Sequence, residues 1–380
     1  MISYVLVTAI SALITFVLAF LILKLSHRYR LYPKVRERDV HTRPTPRLGG
    51  IAMFFGMVVA LVIASQLPSM TLIFSEPLKV WGLFFAALII VLIGVADDVW
   101  DLDWMTKLAG QIIAGGVLAW SGIQIYTLPI FGGVTVLSPT MSLVLTVLAV
   151  VLVMNAINFI DGLDGLVAGV ALIANGVFFI YSYILAVNTS QSEYFNLASL
   201  ITAALIGACI GFLPLNFHPA KLFMGDAGAL LVGLLMAASA ISVTGNVDPG
   251  SLGGRQLLPA FIPILLPAAV LTLPLLDFAL AIVRRLLAGK SPFTADRKHL
   301  HHRLMDIGHS HLQSVLLFYS WTAVVAVGCL SFMFVPWYGS TIFIGVGFVV
   351  CTFLTLGPLR RRTPFRREAE AASETKGLPL

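Results

Sequence analysis

Apolar residues run along this chain in long blocks separated by short polar segments. About 20 mostly apolar residues carry a helix across a bilayer. Eleven blocks approach that length: 4–25, 48–67, 80–96, 107–122, 140–159, 165–187, 196–214, 227–245, 258–282, 314–334 and 338–358. The fourth is the least apolar, because it holds Gln111 and several glycines. The pattern predicts an all-α polytopic membrane protein with about eleven transmembrane helices. Residues 1–359 form one transmembrane domain, with no room for a soluble domain between the spans. The first block lacks a basic leader and is too long for a signal peptide, so it reads as a span. No internal repeat of the kind common in transporters is evident.

Composition agrees. Of 380 residues, 58% are hydrophobic and only 11% charged, where a soluble domain has roughly a quarter charged. The three cysteines, Cys209, Cys329 and Cys351, lie in apolar runs without metal-binding spacing.

Charge orients the spans. Lys24 to Arg47 carries eight Lys and Arg, and cytoplasmic loops hold the excess of these residues. The N-terminus is therefore expected outside and the C-terminus in the cytoplasm. Alternating from there, 22 of the 24 Lys and Arg fall inside, and only Lys79 and Arg255 outside. The basic residues are thus explained by topology, and nucleic acid is not an expected partner. The tail, 360–380, opens with Arg360, Arg361, Arg362, Arg366 and Arg367. It is expected to attract anionic lipid and otherwise to be disordered.

The polar motifs all fall on the cytoplasmic side. Asn155, Asn158, Asp161 and Asp164 recur every three residues, which places them on one helical stripe ended by Gly162 and Gly165. A polar helix end with a glycine cap is the plainer reading, but it does not explain two Asn and two Asp on one face. Asp97 and Asp98 end the third span, where negative charge opposes the helix dipole. Such a pair can hold magnesium against phosphates or take a proton; a solvated helix end is the alternative. Lys107 can turn back towards a phosphate or anchor the span. Asn216 to Gly228 contains Phe223, which can stack on a base or sit at the membrane interface, and Asp226, which opens the eighth span. Asp226 also suits a helix N-terminus on dipole grounds alone. Asp277 reads as structural. His299, His301, His302 and Arg303 form a cationic cluster, better matched to a phosphate or a sugar hydroxyl than to a metal. His41 to Gly50, with Arg43 and Arg47, either faces a phosphate or is an ordinary basic loop. Together these motifs describe a site at the cytoplasmic membrane boundary.

In this order the motifs resemble those of the polyprenyl-phosphate N-acetylhexosamine-1-phosphate transferases: Asp97-Asp98, Asn155 to Gly165, Phe223-Met224-Gly225-Asp226 and His299 to Arg303. The likeness spans about residues 38–305. The histidine cluster reads His-Leu-His-His-Arg, and Asp101 stands three residues after Asp98. Both features look like the UDP-GlcNAc (WecA-type) branch rather than the one that transfers phospho-MurNAc-pentapeptide. The resemblance implies a bacterial plasma-membrane enzyme, its active site facing the cytoplasm. It would move GlcNAc-1-phosphate from UDP-GlcNAc to a polyprenyl phosphate, the first membrane step of a cell-envelope polysaccharide. It implies Mg²⁺, or Mn²⁺ in its place, on Asp226. Asn158, Asp161 and Asp164 would contact the nucleotide side, with Phe223 near the uracil, and Asn155 and Asn216 would also bind substrate. Asp97 or Asp98 would meet the lipid phosphate. Lys107, His299, His301, His302 and Arg303 would bind phosphate or sugar. A homodimer is compatible with this reading. The alternatives are another UDP-amino-sugar donor, an intramembrane prenyltransferase built on Asp97-Asp98-x-x-Asp101, or a transporter of an anionic lipid or nucleotide sugar.

Overall fold

The structure is a computed structural model and describes residues 1–29, 45–130, 133–188, 192–244, 272–287, 289 and 300–374. Its helices are α1 (Ile2–Tyr29), α2 (Gly49–Ser65), α3 (Thr71–Phe74), α4 (Pro77–Trp100), α5 (Trp104–Trp120), α6 (Pro139–Ile160), α7 (Leu166–Asn188), α8 (Ser192–Asn216), α9 (Gly225–Thr244), α10 (Thr272–Leu287), α11 (Leu300–Ile307), α12 (His311–Ser331) and α13 (Trp337–Glu374). A short 3-10 turn, Pro68–Met70, precedes α3.

Eight of these helices are long and apolar enough to cross a membrane. A ninth crossing is counted if α2 joins Pro68–Phe74 across a 99° bend. The protein is therefore a helical, multi-pass membrane protein. Ten of the eleven expected spans coincide with a helix. The expected span at 258–282 lies mostly outside the described residues, which resume at α10. α5 has 17 residues, short for a crossing at 1.5 Å per residue.

Two features depart from the expected pattern. A hairpin, β1 (Thr127–Ile130) against β2 (Gly133–Val136), joins α5 to α6, with Thr127 opposite Val136 and Ile130 opposite Gly133. Its β-branched residues are too few to stand out beside the long apolar blocks. In addition, α13 continues as helix to Glu374, through a tail expected to be disordered. Ala, Glu and Arg, which dominate Arg366 to Glu374, are among the best helix formers.

α9 is the axis of the bundle. In its apolar stretch 89% is buried inside the protein, against 11% for α13. It packs on α4, α6 and α8, while α1 packs on α2 and α8. Small residues allow this closeness: a Cβ added at Gly94 of α4 would stand 2.2 Å from Ala227 Cα. The N-terminus of α9 is thereby held against the C-terminal turn of α4, where the chemistry gathers.

Candidate active site

Two helix ends meet at the centre of the site. The Asp98 carboxylate, on the last turn of α4, accepts the backbone N–H of Asp226 at 3.2 Å and of Ala227 at 3.4 Å. A helix N-terminus has unsatisfied N–H groups and a partial positive charge. It therefore offsets the carboxylate that the α4 dipole disfavours. Gly225 makes this approach possible. Its φ is +68°, and a Cβ there would lie 2.2 Å from both the Arg47 carbonyl oxygen and Asp98 Oδ2.

Asp97 has a different task. It is buried, and its Oδ2 accepts from Lys107 Nζ at 3.0 Å. The same ammonium donates to Asp226 Oδ2 at 3.3 Å. The Asp97 and Asp226 carboxylates thus share one ammonium, and Asn158 lies beside Asp226. Asp97 Oδ1 is buried with no hydrogen-bond partner among the described residues. Two carboxylates held this close repel unless a proton or a cation offsets their charge, and a divalent cation can do so. Lys107 is placed for this role by α5. Asp103 caps that helix, accepting from Thr106 N–H at 3.0 Å. These bonds hold the Asp103 carboxyl below its usual range. Asp101 is exposed, in a left-handed conformation beyond the end of α4.

The end of the first loop closes one side. Phe223 N–H donates to the Pro46 carbonyl at 2.8 Å; Gly49 and Gly50 N–H donate to the Phe223 and Met224 carbonyls at 3.0 and 2.9 Å. This main-chain pairing brings Arg47 within electrostatic reach of Asp98 and Asp161.

A second cluster adjoins the first. The expected single stripe divides: α6 ends at Ile160, leaving Asn155 and Asn158 on the helix, Asp161 at its cap and Asp164 in the following turn. Gly165, at φ +75°, makes that turn. Burial pushes the Asp161 carboxyl up to about 7; Asp226 and Asp164 add to the shift and Arg47 opposes it. Asp161 thus couples the two clusters. Asp164 is buried; its Oδ2 accepts from His218 Nδ1 at 2.7 Å and Ala220 N–H at 3.0 Å. Its own N–H donates to His311 Nε2 at 3.3 Å. Asn216 braces the turn, accepting from Gly165 N–H at 3.1 Å and donating to the Leu222 carbonyl at 3.0 Å. Tyr319 donates its hydroxyl to the Gly165 carbonyl at 2.5 Å. A capping box between Ser310 and Gln313 starts α12 and so fixes His311.

Asp164, His218 and His311 place ligating atoms within 4.8 Å of one another. The two imidazoles stack at 4.4 Å with planes 20° apart. Their in-plane lone pairs therefore run side by side rather than converging on one ion, and the group is a hydrogen-bonded network.

The structure thus brings together Asp97, Asp98, Lys107, Asn158 and Asp226, with Asp161, Asp164, Asn216 and Phe223 beside them. Asn155 turns elsewhere: its amide donates to Gln111 Oε1 at 2.6 Å. His299 lies outside the described residues. His301, His302 and Arg303 are described only as backbone of α11, and Asp277 only as backbone of α10. Arg47, read from the sequence as either facing a phosphate or part of an ordinary basic loop, joins the site, as do His218, His311 and Tyr319, which were not singled out. His218 lies inside the Asn216 to Gly228 motif, which was the one available signal; Tyr319 carried none.

Residues 80–244 match the model of glycosyl transferase family 4. A decaprenyl-phosphate N-acetylglucosaminephosphotransferase of Mycolicibacterium smegmatis is 42% identical over 357 residues, covering 93% of this chain and 88% of the relative. The chain belongs to glycosyl transferase family 4. Another relative is a probable undecaprenyl-phosphate N-acetylglucosaminyl 1-phosphate transferase of Bacillus subtilis. It is 33% identical over 322 residues, 84% of this chain and 82% of the relative. A phospho-N-acetylmuramoyl-pentapeptide-transferase of Desulforudis audaxviator is 27% identical over 353 residues, 86% and 97%. The family-4 match contains every carboxylate of both clusters, whereas Arg47, His311 and Tyr319 lie outside it.

Proposed function

We propose that this protein transfers GlcNAc-1-phosphate from UDP-GlcNAc to a polyprenyl phosphate at the cytoplasmic face of a bacterial plasma membrane. The observation that carries the reading is the junction of Asp97, Asp98, Lys107 and Asp226 at two helix ends, in a chain 42% identical to a decaprenyl-phosphate N-acetylglucosaminephosphotransferase. An oxygen of the lipid phosphate attacks the β-phosphorus of UDP-GlcNAc. A new P–O bond forms, the bond to the bridging oxygen breaks, and UMP leaves with that oxygen.

Mg²⁺ fits the donor set. Asp97 and Asp226 offer hard carboxylate oxygens, one of them buried and otherwise unpartnered. They would hold the ion, which neutralises pyrophosphate charge. Lys107 balances these carboxylates and lies ready to pair with a phosphate oxygen. Asp98 keeps the N-terminus of α9 in place. Arg47 offers a second cation to the phosphates, and the turn at Asp161 to Gly165 receives the nucleoside.

Phosphoryl transfer depends mainly on positioning and charge neutralisation. A lipid phosphate is already largely dianionic near neutrality, since its second pKa is about 6. No strong base is required of Asp97. The prenyltransferase alternative loses ground, because Asp101 is exposed beyond the helix end while Asp97 is buried.

The donor is tested by supplying UDP-GlcNAc and UDP-MurNAc-pentapeptide together and weighing the lipid product. A product carrying GlcNAc is expected. A product carrying only the MurNAc-pentapeptide would move the protein to the other branch.

A further inference from the structure

Gln111 is a buried amide on the inner face of α5, and its partner is Asn155 on α6. Asn155 Nδ2 donates to Gln111 Oε1 at 2.6 Å and also to the Val151 carbonyl at 2.8 Å. Gln111 Nε2 returns a longer bond to Asn155 Oδ1 at 3.5 Å. Each residue lies about one helical turn from a site residue on the same face: Gln111 from Lys107, and Asn155 from Asn158. Lys107 donates to Asp226, and Asn158 lies beside it.

α5 needs such a tie. It is only 17 residues long, and Trp104, Met105, Ile112, Ile113 and Trp120 on its outer side are exposed. Apolar surface facing lipid gives no preferred rotation about the helix axis, because lipid tails are as apolar as the side chains. The polar pair supplies a rotational register, and a buried amide has a strong preference for keeping its partner.

We infer that Gln111 is a positioning residue for this reaction. Through its amide pair with Asn155 it fixes the rotation of α5 that sets Lys107 between Asp97 and Asp226. Asn155 then belongs to the framework rather than to the substrate contacts. The inference rests on the proposed transfer reaction only for its kinetic readout.

The first readout is independent of activity. Lys107 in the intact protein is acylated with a water-soluble amine reagent, and the modification rate is followed by mass spectrometry. The apolar replacement Gln111→Met keeps the volume of the side chain and removes its hydrogen bonds. It is expected to raise the Lys107 rate at least fivefold, with reference lysines such as Lys79 unchanged. Gln111→Asn and Asn155→Gln each mismatch the pair by one methylene and are expected to do the same. Their combination restores the summed length and is expected to return the rate to within twofold of wild type. In the transfer assay, the single variants are expected to lose kcat about tenfold, with KM for UDP-GlcNAc changing less than threefold. The exchange variant is expected to recover. Unchanged Lys107 reactivity in a folded Gln111→Met protein would overturn the inference whatever the donor sugar proves to be. So would an exchange variant that recovers thermal stability but not Lys107 protection. A wild type that does not release UMP would instead count against the transfer reaction and leave the acylation result standing.

Discussion

Asp98 caps the helix whose first turn holds Asp226: its carboxylate takes the Asp226 N–H at 3.2 Å and the next N–H at 3.4 Å. The two adjacent aspartates of α4 are therefore unequal. Asp98 is occupied with structure, and Asp97 faces Lys107 and Asp226.

This inequality predicts different variants. Asp98→Ala removes a cap and should cost about 1–2 kcal/mol of stability, as such losses do elsewhere. Asp98→Asn retains an oxygen acceptor and should keep the fold and a measurable part of turnover. Asp97→Asn should leave the melting temperature within a few degrees and reduce turnover by about 10³-fold, the scale on which a preorganised charge acts. Melting curves and UMP release on the same samples check both.

Lys107→Met leaves Asp97 and Asp226 without their shared cation. Breaking a partly buried ion pair from one side leaves the other charge without its partner. Turnover should fall by about 10²–10³-fold, and Lys107→Arg should recover part of it. Initial rates at saturating substrates distinguish the two variants.

Mg²⁺ removal by a chelator should abolish turnover and be reversed by added Mg²⁺. Asp226→Asn should remove nearly all turnover while the protein stays folded. A folded Asp226→Asn protein with near-native turnover at limiting Mg²⁺ would contradict the metal assignment.

Asp161 gives a pH signature. Its folded carboxyl is pushed up to about 7 by burial and by neighbouring Asp226 and Asp164, while an unfolded Asp titrates near 4. Between roughly pH 4 and pH 7 the folded state alone holds this proton, so its contribution favours folding at acid pH and is lost as pH rises through about 7. Asp161→Asn should therefore raise the melting temperature at pH 8, and the gain should shrink towards pH 5. Melting curves across that range without nucleotide check the sign.

The long apolar blocks made the membrane helices legible in the sequence, because a span needs only length and hydrophobicity. The motif positions were legible too, since carboxylates beside a membrane are costly without a purpose. Arg47 was legible only as one of two arginines in a basic loop, because what places it is main-chain pairing of Pro46 to Gly50 with Phe223 and Met224. Such bonds leave no side-chain signature. Tyr319 is a tyrosine in an apolar helix until Gly165, 154 residues earlier, meets its hydroxyl. The division between Asp97 and Asp98 depends on where α9 begins in space, which a local pattern cannot report. The periodic stripe from Asn155 to Asp164 overreached, because the helix stops at Ile160 and the last two members sit in a cap and a turn.

The central claim is tested most directly by UMP release from purified protein given UDP-GlcNAc, a polyprenyl phosphate and Mg²⁺, with parallel samples lacking each component. Release that needs all three, with a GlcNAc-diphosphate lipid formed in equal amount, is the expected result. Folded protein that releases no UMP from the complete mixture, or releases it equally well without the lipid phosphate, would contradict it.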